Sequence, residues 1–410
     1  MQRYGYDRRR SSATTPPASL TLGLLIVLGI AIVVVAAQLL RGVPAPAIDV
    51  TMPESSVIGQ PVTPPLPADG GSVVAVEGLG TLASAGDTTQ RPLASVAKMM
   101  TAYIILHEKP LQLGVSGPLV TVSQEDGDRY WQMVAQDQSV VPVNPGETLS
   151  ELQLLQGMLI PSGNNFAEIL AKWSAGSVPA FADKMNATAQ QLGMKNTHYD
   201  DASGFSSKSV STAQDQLILA RELMKDPVFA AIVGTKTVQL PIAGSMNNVN
   251  DLLGTDGVVG IKTGSTEDAG GNLAFAATRP AAGQQINVIG VVLGQKDLSG
   301  AFDATQTVLK SLEQYVQLTR VVPVGQPVGT VKPAWGSPID VVTGKEVQML
   351  TWPGMKLETH VEIDDATPPK SAHGQVGWLT VTMGEQTQKV PLLLATPIGS
   401  PTLTWKLTRF

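Results

Sequence analysis

Between Leu20 and Leu40 the chain runs for 21 residues without a charged side chain. At 1.5 Å per residue a helix over that run covers about 30 Å, the thickness of a bilayer's hydrocarbon core. Arg3, Arg8, Arg9 and Arg10 precede it. Arginines on that side predict that residues 1–19 form a basic cytoplasmic tail and that everything after residue 40 lies outside. Ala45-Pro46-Ala47 resembles a small-residue cleavage site, but the run exceeds the roughly 7–15 apolar residues of a secretory leader. The expectation is therefore an uncleaved, single-pass anchor in the cell membrane, spanning 20–40.

After this run the chain divides by pattern. Residues 41–70 hold Pro44, Pro46, Pro53, Pro61, Pro64, Pro65 and Pro67. That density suits neither helix nor interior strand and predicts an extended spacer. From about residue 71 the pattern becomes globular. SVVAVEG and TLASAGD read as a hairpin around Gly78 and Gly80. Five helical stretches come next, at 95–107, 149–160, the NFAEILAKWSAG segment, 178–192 and 212–225. Strand-like runs return at GVVGIKTGS, NLAFAATR and INVIGVVLG, before a helix at 301–318. Strands at both ends with helices between predict one sheet covered by helices, an α/β sandwich. After Arg320 come short β runs punctuated by Gly and Pro, which predict a small all-β domain over 321–410. The catalytic candidate region is then 71–320.

Composition narrows the chemistry. A net charge of −6 offers no basic face for nucleic acid. With no cysteine, disulfides, CxxC redox motifs and thiolate metal sites are ruled out. The four histidines (His107, His198, His360, His373) are scattered and form no HExxH pair, which argues against a zinc enzyme and a Ser-His-Asp hydrolase. No cofactor and no metal are expected. His107 and His198 read as structural, Glu168 as part of a solvated helix face. Gly78-Leu-Gly80 only weakly mimics a dinucleotide fingerprint, since no helix pattern comes after it.

Three short motifs remain. Ser95-Val-Ala-Lys98 stands where a helix should begin, and positions three apart share a helix face. A serine hydroxyl needs a base to become a nucleophile, and a lysine serves if burial and a nearby cation lower its pKa. Ser162-Gly163-Asn164 lies between two helical stretches, where a hydroxyl and an amide could relay a proton and bind a substrate amide. A helix cap would use the same residues, and Ser245-Met246-Asn247 shares the pattern. Lys262-Thr263-Gly264 sits on a β-branched run. Lys and Thr suit a substrate carboxylate, and the N–H of Ser265 could complete an oxyanion hole. A phosphate loop is excluded because Gly257 and Gly260 have the wrong spacing for it.

Each motif alone is weak. Ser-x-x-Lys and Lys-Thr-Gly each occur once, and the order Ser95, Ser162, Lys262 is the motif order of penicillin-binding proteins and serine β-lactamases. The stretches RPLASVAKMMTAYIIL, GETLSELQLLQGMLIPSGNNFAEILA, MNATAQQLGMKNTHYDDASGF and GVVGIKTGSTEDAGGNLAFAAT resemble the D-alanyl-D-alanine carboxypeptidase family. The resemblance covers about residues 72–318 and continues more weakly beyond. It implies a β-lactamase/transpeptidase-like sheet covered by helices, with a β-rich domain behind. It also implies a serine hydrolase that removes the terminal D-alanine of peptidoglycan stem peptides and is inhibited by β-lactams. In that scheme Ser95 is acylated and Lys98 is its base. Ser162 passes a proton to the leaving amine, and Asn164 binds peptide. Lys262 and Thr263 hold the terminal carboxylate, and the N–H groups of Ser95 and Ser265 form the oxyanion hole.

Two departures qualify the resemblance. The family often carries an arginine in the helix after the last sheet strand, where this chain has Ala301-Phe302-Asp303; Lys296 is a candidate substitute. Many members also attach to the membrane by a C-terminal amphipathic helix, for which TLTWKLTRF is too short. The missing arginine leaves open an endopeptidase acting on peptidoglycan cross-links. A slow, cell-wall-binding homologue is opposed by the intact motifs. A β-lactamase is opposed by the lack of Glu-x-x-Leu-Asn between the second and third motifs.

Overall fold

A computed structural model describes Met1 and residues 18–86 and 88–409. The four arginines of the basic tail lie outside the described residues. Ala18–Leu40 is one continuous helix. Its Leu22–Leu40 window is long and apolar enough to cross a membrane, and none of it is buried in the protein.

The central sheet has five strands, all antiparallel. Their order is Val258–Thr266, Gly270–Ala281, Gln284–Gln295, Gly71–Val76, Gly80–Gly86. The hairpin at 71–86 thus joins strands that lie some two hundred residues later, and the helices between them pack as an insertion. Successive side chains in a strand point to opposite faces. In Gly71–Val76, Val73 and Ala75 enter a core shared with the helices Lys98–Glu108, Glu151–Leu159, Asn164–Ala175 and Ala213–Met224. Val74 and Val76 enter a second core, with the helix Leu298–Ser311 and the β-rich region beyond it. Both faces being covered explains why this strand has no exposed residue. The expected α/β sandwich is present.

Two helices of the catalytic candidate region, and the short helix Leu403–Thr408 beyond it, escaped the sequence reading. Gln124–Ala135 is mostly polar, yet Ser123 and Asp126 form a full capping box at its start. Pro227–Val233 is short and is capped by Asp226.

The segment expected as an extended spacer is paired in part. Ala47–Val50 runs antiparallel to Pro327–Lys332, and Ser55–Val57 runs antiparallel to the start of Lys356–Ile363. They form the two outermost strands of the seven-stranded sheet built from the region after residue 316. The prolines fall between and beyond these short strands, and edge strands need donors on one side only.

Beside the second core that they share, the β-rich sheet and the catalytic candidate region meet at Gly384 and at Arg221. The turn at Gly384, which has φ +58, packs its backbone against the carbonyl of Leu79. Arg221 bridges Glu77 and Glu385 at 3.0 and 2.7 Å.

Candidate active site

Ser95 lies in a short 3₁₀ turn, Ala94–Ala97, that leads directly into the helix beginning at Lys98. Ala94 adopts φ 46, a left-handed conformation that a residue with Cβ holds only when its surroundings impose it. The surroundings are visible. Asn272, on the neighbouring sheet strand, donates from Nδ2 to the carbonyls of Pro92 and Leu93, both at 3.0 Å, and its Oδ1 accepts from the N–H of Gly294 at 2.7 Å. Gly264 comes so close that a Cβ there would stand 3.0 Å from the backbone N of Ser95 and 2.8 Å from the Leu93 carbonyl. Glycine is thus required for the Lys-Thr-Gly strand to approach the Ser95 turn. That approach brings the Ser95 N–H beside the backbone leading to Ser265.

Lys98 is fully buried. Its Nζ donates to Ser95 Oγ and Asn164 Oδ1, each at 2.6 Å, and to the Ser203 carbonyl at 3.3 Å; Ser162 Oγ stands at 3.5 Å. Burial pushes its ammonium well below the ordinary lysine range. Lys262 adds repulsion in the same direction, and Asp201 opposes. An amine in that state can accept a proton.

Ser162 sits between the helices Glu151–Leu159 and Asn164–Ala175 at φ 67, a second left-handed residue with a side chain. Its loop is tied down by Asn165, which exchanges hydrogen bonds with the backbone of Val141 at 3.0 and 2.8 Å, and by the Asn164 N–H to Ser139 carbonyl bond at 2.8 Å. The hydroxyl therefore points toward Lys98 rather than capping the next helix, whose N-cap is Gly163 and makes no side-chain bond. Ser245, the competing Ser-x-Asn match, lies in a separate two-stranded hairpin.

Lys262 and Thr263 are both buried, and Lys262 Nζ donates to the Thr263 carbonyl at 3.1 Å. Burial alone lowers Lys262 to about 7. A cleft of about 510 Å³ opens at Ser95 and is lined also by Gln138, Asn164, Phe205, Ser265, Glu267 and Asp268; Lys98, Ser162, Lys262 and Thr263 lie behind its lining.

Several supporting residues were not foreseen. Gln138 orients Asn164, accepting from its Nδ2 at 2.7 Å. Asp201 folds its loop by accepting from the N–H groups of Ser203 at 2.8 Å, Ser206 at 2.6 Å and Gly204. The loop presents the Ser203 carbonyl to Lys98 and the Ala202 carbonyl to Thr101 at 2.7 Å. Such a side chain caging its own turn is an Asx pattern, so Asp-Ala-Ser-Gly was readable as a turn, though not its position over the lysine.

Other expectations change. Glu168 is not on a solvated face: it pairs bidentately with Arg129 at 2.9 and 3.0 Å. Ala301 is fully buried in the second core, so an arginine there could not serve the cleft without displacing packed side chains. Lys296 is exposed and does not border the cleft. His107 stacks on Tyr103 with centroids 5.9 Å apart.

The D-alanyl-D-alanine carboxypeptidase family model, peptidase S11, matches residues 65–297. A D-alanyl-D-alanine carboxypeptidase of Streptomyces sp. strain K15 is 33% identical over 255 residues, covering 58% of this chain and 84% of the relative. The carboxypeptidase DacD of Escherichia coli is 27% identical over 343 residues, 81% of this chain and 87% of the relative. Penicillin binding protein 5 of Haemophilus influenzae superimposes with a TM-score of 0.59 at 22% identity, over 83% of this chain and all of that one, a likeness of fold.

Proposed function

The chain belongs to the D-alanyl-D-alanine carboxypeptidase family, and from this premise we propose that Ser95 is the nucleophile of a serine-type D-Ala-D-Ala carboxypeptidase acting on peptidoglycan stem peptides. The observation that carries the assignment is Lys98 Nζ, buried and 2.6 Å from Ser95 Oγ, with its pKa well below the ordinary lysine range.

Neutral Lys98 takes the hydroxyl proton as Ser95 Oγ bonds to the penultimate D-alanine carbonyl. Negative charge collects on the carbonyl oxygen, where the N–H groups of Ser95 and Ser265 are the proposed donors. The C–N bond then breaks, and the departing D-alanine amine receives the proton from Lys98 through Ser162. Water next attacks the ester, gives its proton to Lys98, and the acid product leaves as Ser95 Oγ recovers that proton. A β-lactam would enter by the same first step. Asn164 is assigned to the substrate amide, Lys262 and Thr263 to the terminal carboxylate.

Trapping tests this directly. A labelled penicillin should attach to Ser95, and Ser95→Ala should abolish labelling. Labelling that survives the substitution removes the assignment. Lys98→Ala should lose acylation while keeping its circular dichroism spectrum.

Further readings belong with this proposal. The helix Ala18–Leu40 serves as a single-pass membrane anchor, with the enzyme outside the cell membrane. Residues 71–320 are taken as the catalytic domain and 321–410 as the β-rich domain. Among the described residues that line the cleft there is no arginine, which supports a second activity, cleavage of cross-links, because a clamp without guanidinium is less exacting about a free terminal carboxylate.

A further inference from the structure

The last carbonyls of a helix lack donors within it, and its C-terminal end carries partial negative charge. In the anchor helix one of these carbonyls, that of Gln38, is met by Arg409, which stands 371 residues later in the chain. Arg409 donates from Nη2 to the carbonyls of Gln38, at 3.0 Å, and Arg41, and from Nη1 to the carbonyl of Gly42 at 3.1 Å. Its guanidinium also lies over the Trp405 ring, 5.0 Å from the centroid. Trp405 meets Trp335 edge-on at 5.6 Å. Both indole N–H groups are already satisfied, Trp405 by the Ala334 carbonyl at 3.2 Å and Trp335 by the Gly399 carbonyl at 2.7 Å. Next to them Leu403 is 64% exposed.

Two aromatic rings, an exposed leucine and an arginine are thus gathered at the point where an apolar helix ends. Indoles concentrate at the level of lipid headgroups, and arginine keeps its charge at the wet edge of such a layer. The tether is also short. Residues 41–46 alone separate the helix from the strand Ala47–Val50 of the β-rich sheet, a reach of about 20 Å at full extension.

We propose that Trp335, Trp405, Leu403 and Arg409 form a collar that lies in the headgroup layer of the outer leaflet and seats the β-rich domain on the bilayer around the exit of the anchor helix. The partner is a phospholipid surface. The six-residue helix Leu403–Thr408 is too short to anchor the protein alone; its role is to fix orientation. This inference rests on the anchor reading above.

The full-length protein in phosphatidylcholine vesicles tests it, with lipids brominated either high or deep in the acyl chain as quenchers of tryptophan fluorescence. Quenching should be stronger from the high position. The double variant Trp335→Phe, Trp405→Phe should lose that component, whereas Trp131→Phe should retain it. Arg409→Ala should weaken it while the protein still floats with vesicles after alkaline carbonate. Flotation with quenching unchanged in the double variant overturns the collar and leaves the anchor standing. Loss of flotation in the unaltered protein overturns both. Tryptophan shielding that depends on the protein-to-lipid ratio would assign the surface to a second copy instead and also overturns the proposal.

Discussion

Two lysines share the site, and their positions predict opposite pH limbs. In the proposed mechanism Lys98 must be neutral to take a proton, so kcat/KM should fall on the acid side as it becomes protonated. Lys262, lowered to about 7 by burial, must be charged for its proposed role of attracting the carboxylate. Activity on a peptide with a free terminal carboxylate should therefore fall again above about pH 7, giving a bell. The same peptide with an amidated terminus should lack the alkaline limb. Lys262→Arg, whose cation does not titrate in this range, should remove that limb for the acid as well. Steady-state profiles on both substrates decide it. Preference for the acid should be modest, about ten- to a hundredfold, the worth of one charge-assisted contact.

At the same scale, Glu151 is fully buried, and neither carboxylate oxygen has a hydrogen-bond partner. Burial raises it to about 7. A group whose folded pKa is raised holds its proton better folded than unfolded, so stability declines as pH climbs from about 4.5 through 7. Glu151→Gln, which cannot ionise, should flatten that decline and, at pH 8, raise stability by roughly 1–3 kcal/mol, the penalty that a pKa raised from 4.5 to about 7 places on the ionised form. Thermal melts at pH 5 and pH 8 measure it.

Among elements, the Ser95 turn and the Lys-Thr-Gly strand depend on each other. Gly264→Ala would drive a methyl group into the backbone at Leu93, Ser95 and Val96. Acylation by penicillin should drop by at least about a hundredfold, the scale on which a misplacement of about 1 Å acts. The residues proposed to react were legible in the sequence because the chemistry dictates their types: no residue but lysine offers an amine side chain three places after a serine. Asn272 was not, since an asparagine in a strand gives no sign that its amide reaches a loop some 180 residues away. The helix Gln124–Ala135 was hidden because only Asp126, Gly127 and Met133 are buried, too few to set an apolar period. The strands Ala47–Val50 and Ser55–Val57 were hidden for a related reason: every residue in them is exposed, so no alternation marks them. Their pairing depends on partners near the other end of the chain. The bulk of the fold was legible because its buried strands are continuous apolar runs, as in Gly71–Val76, and its long helices bury one face, as in Ala213–Met224.

Over the whole molecule, the second core draws residues from the central sheet, the helix Leu298–Ser311 and the β-rich sheet alike. Shared burial of this kind predicts one cooperative unfolding transition rather than two. Gly384→Ala, which would press a methyl group against the Leu79 carbonyl, should separate the transition into two in calorimetry. The ion pairs of Arg221 with Glu77 and Glu385 are partly exposed. Arg221→Ala alone should shift the melt little.

The pairing of residues 47–57 also settles how mechanical tension would travel. On the proposed anchoring, a cell wall that swells or shears against the membrane would pull on this protein between the helix Ala18–Leu40 and its bound substrate. The pull enters at residue 41 and meets the four-residue ladder with Pro327–Lys332, then the three-residue ladder with the start of Lys356–Ile363, before it reaches the chain that leads into the central sheet. These two ladders stand as sacrificial links in series. They would unzip one after the other and release slack, while Ser95, Lys98 and the strand beside them, farther along the load path, stay in register.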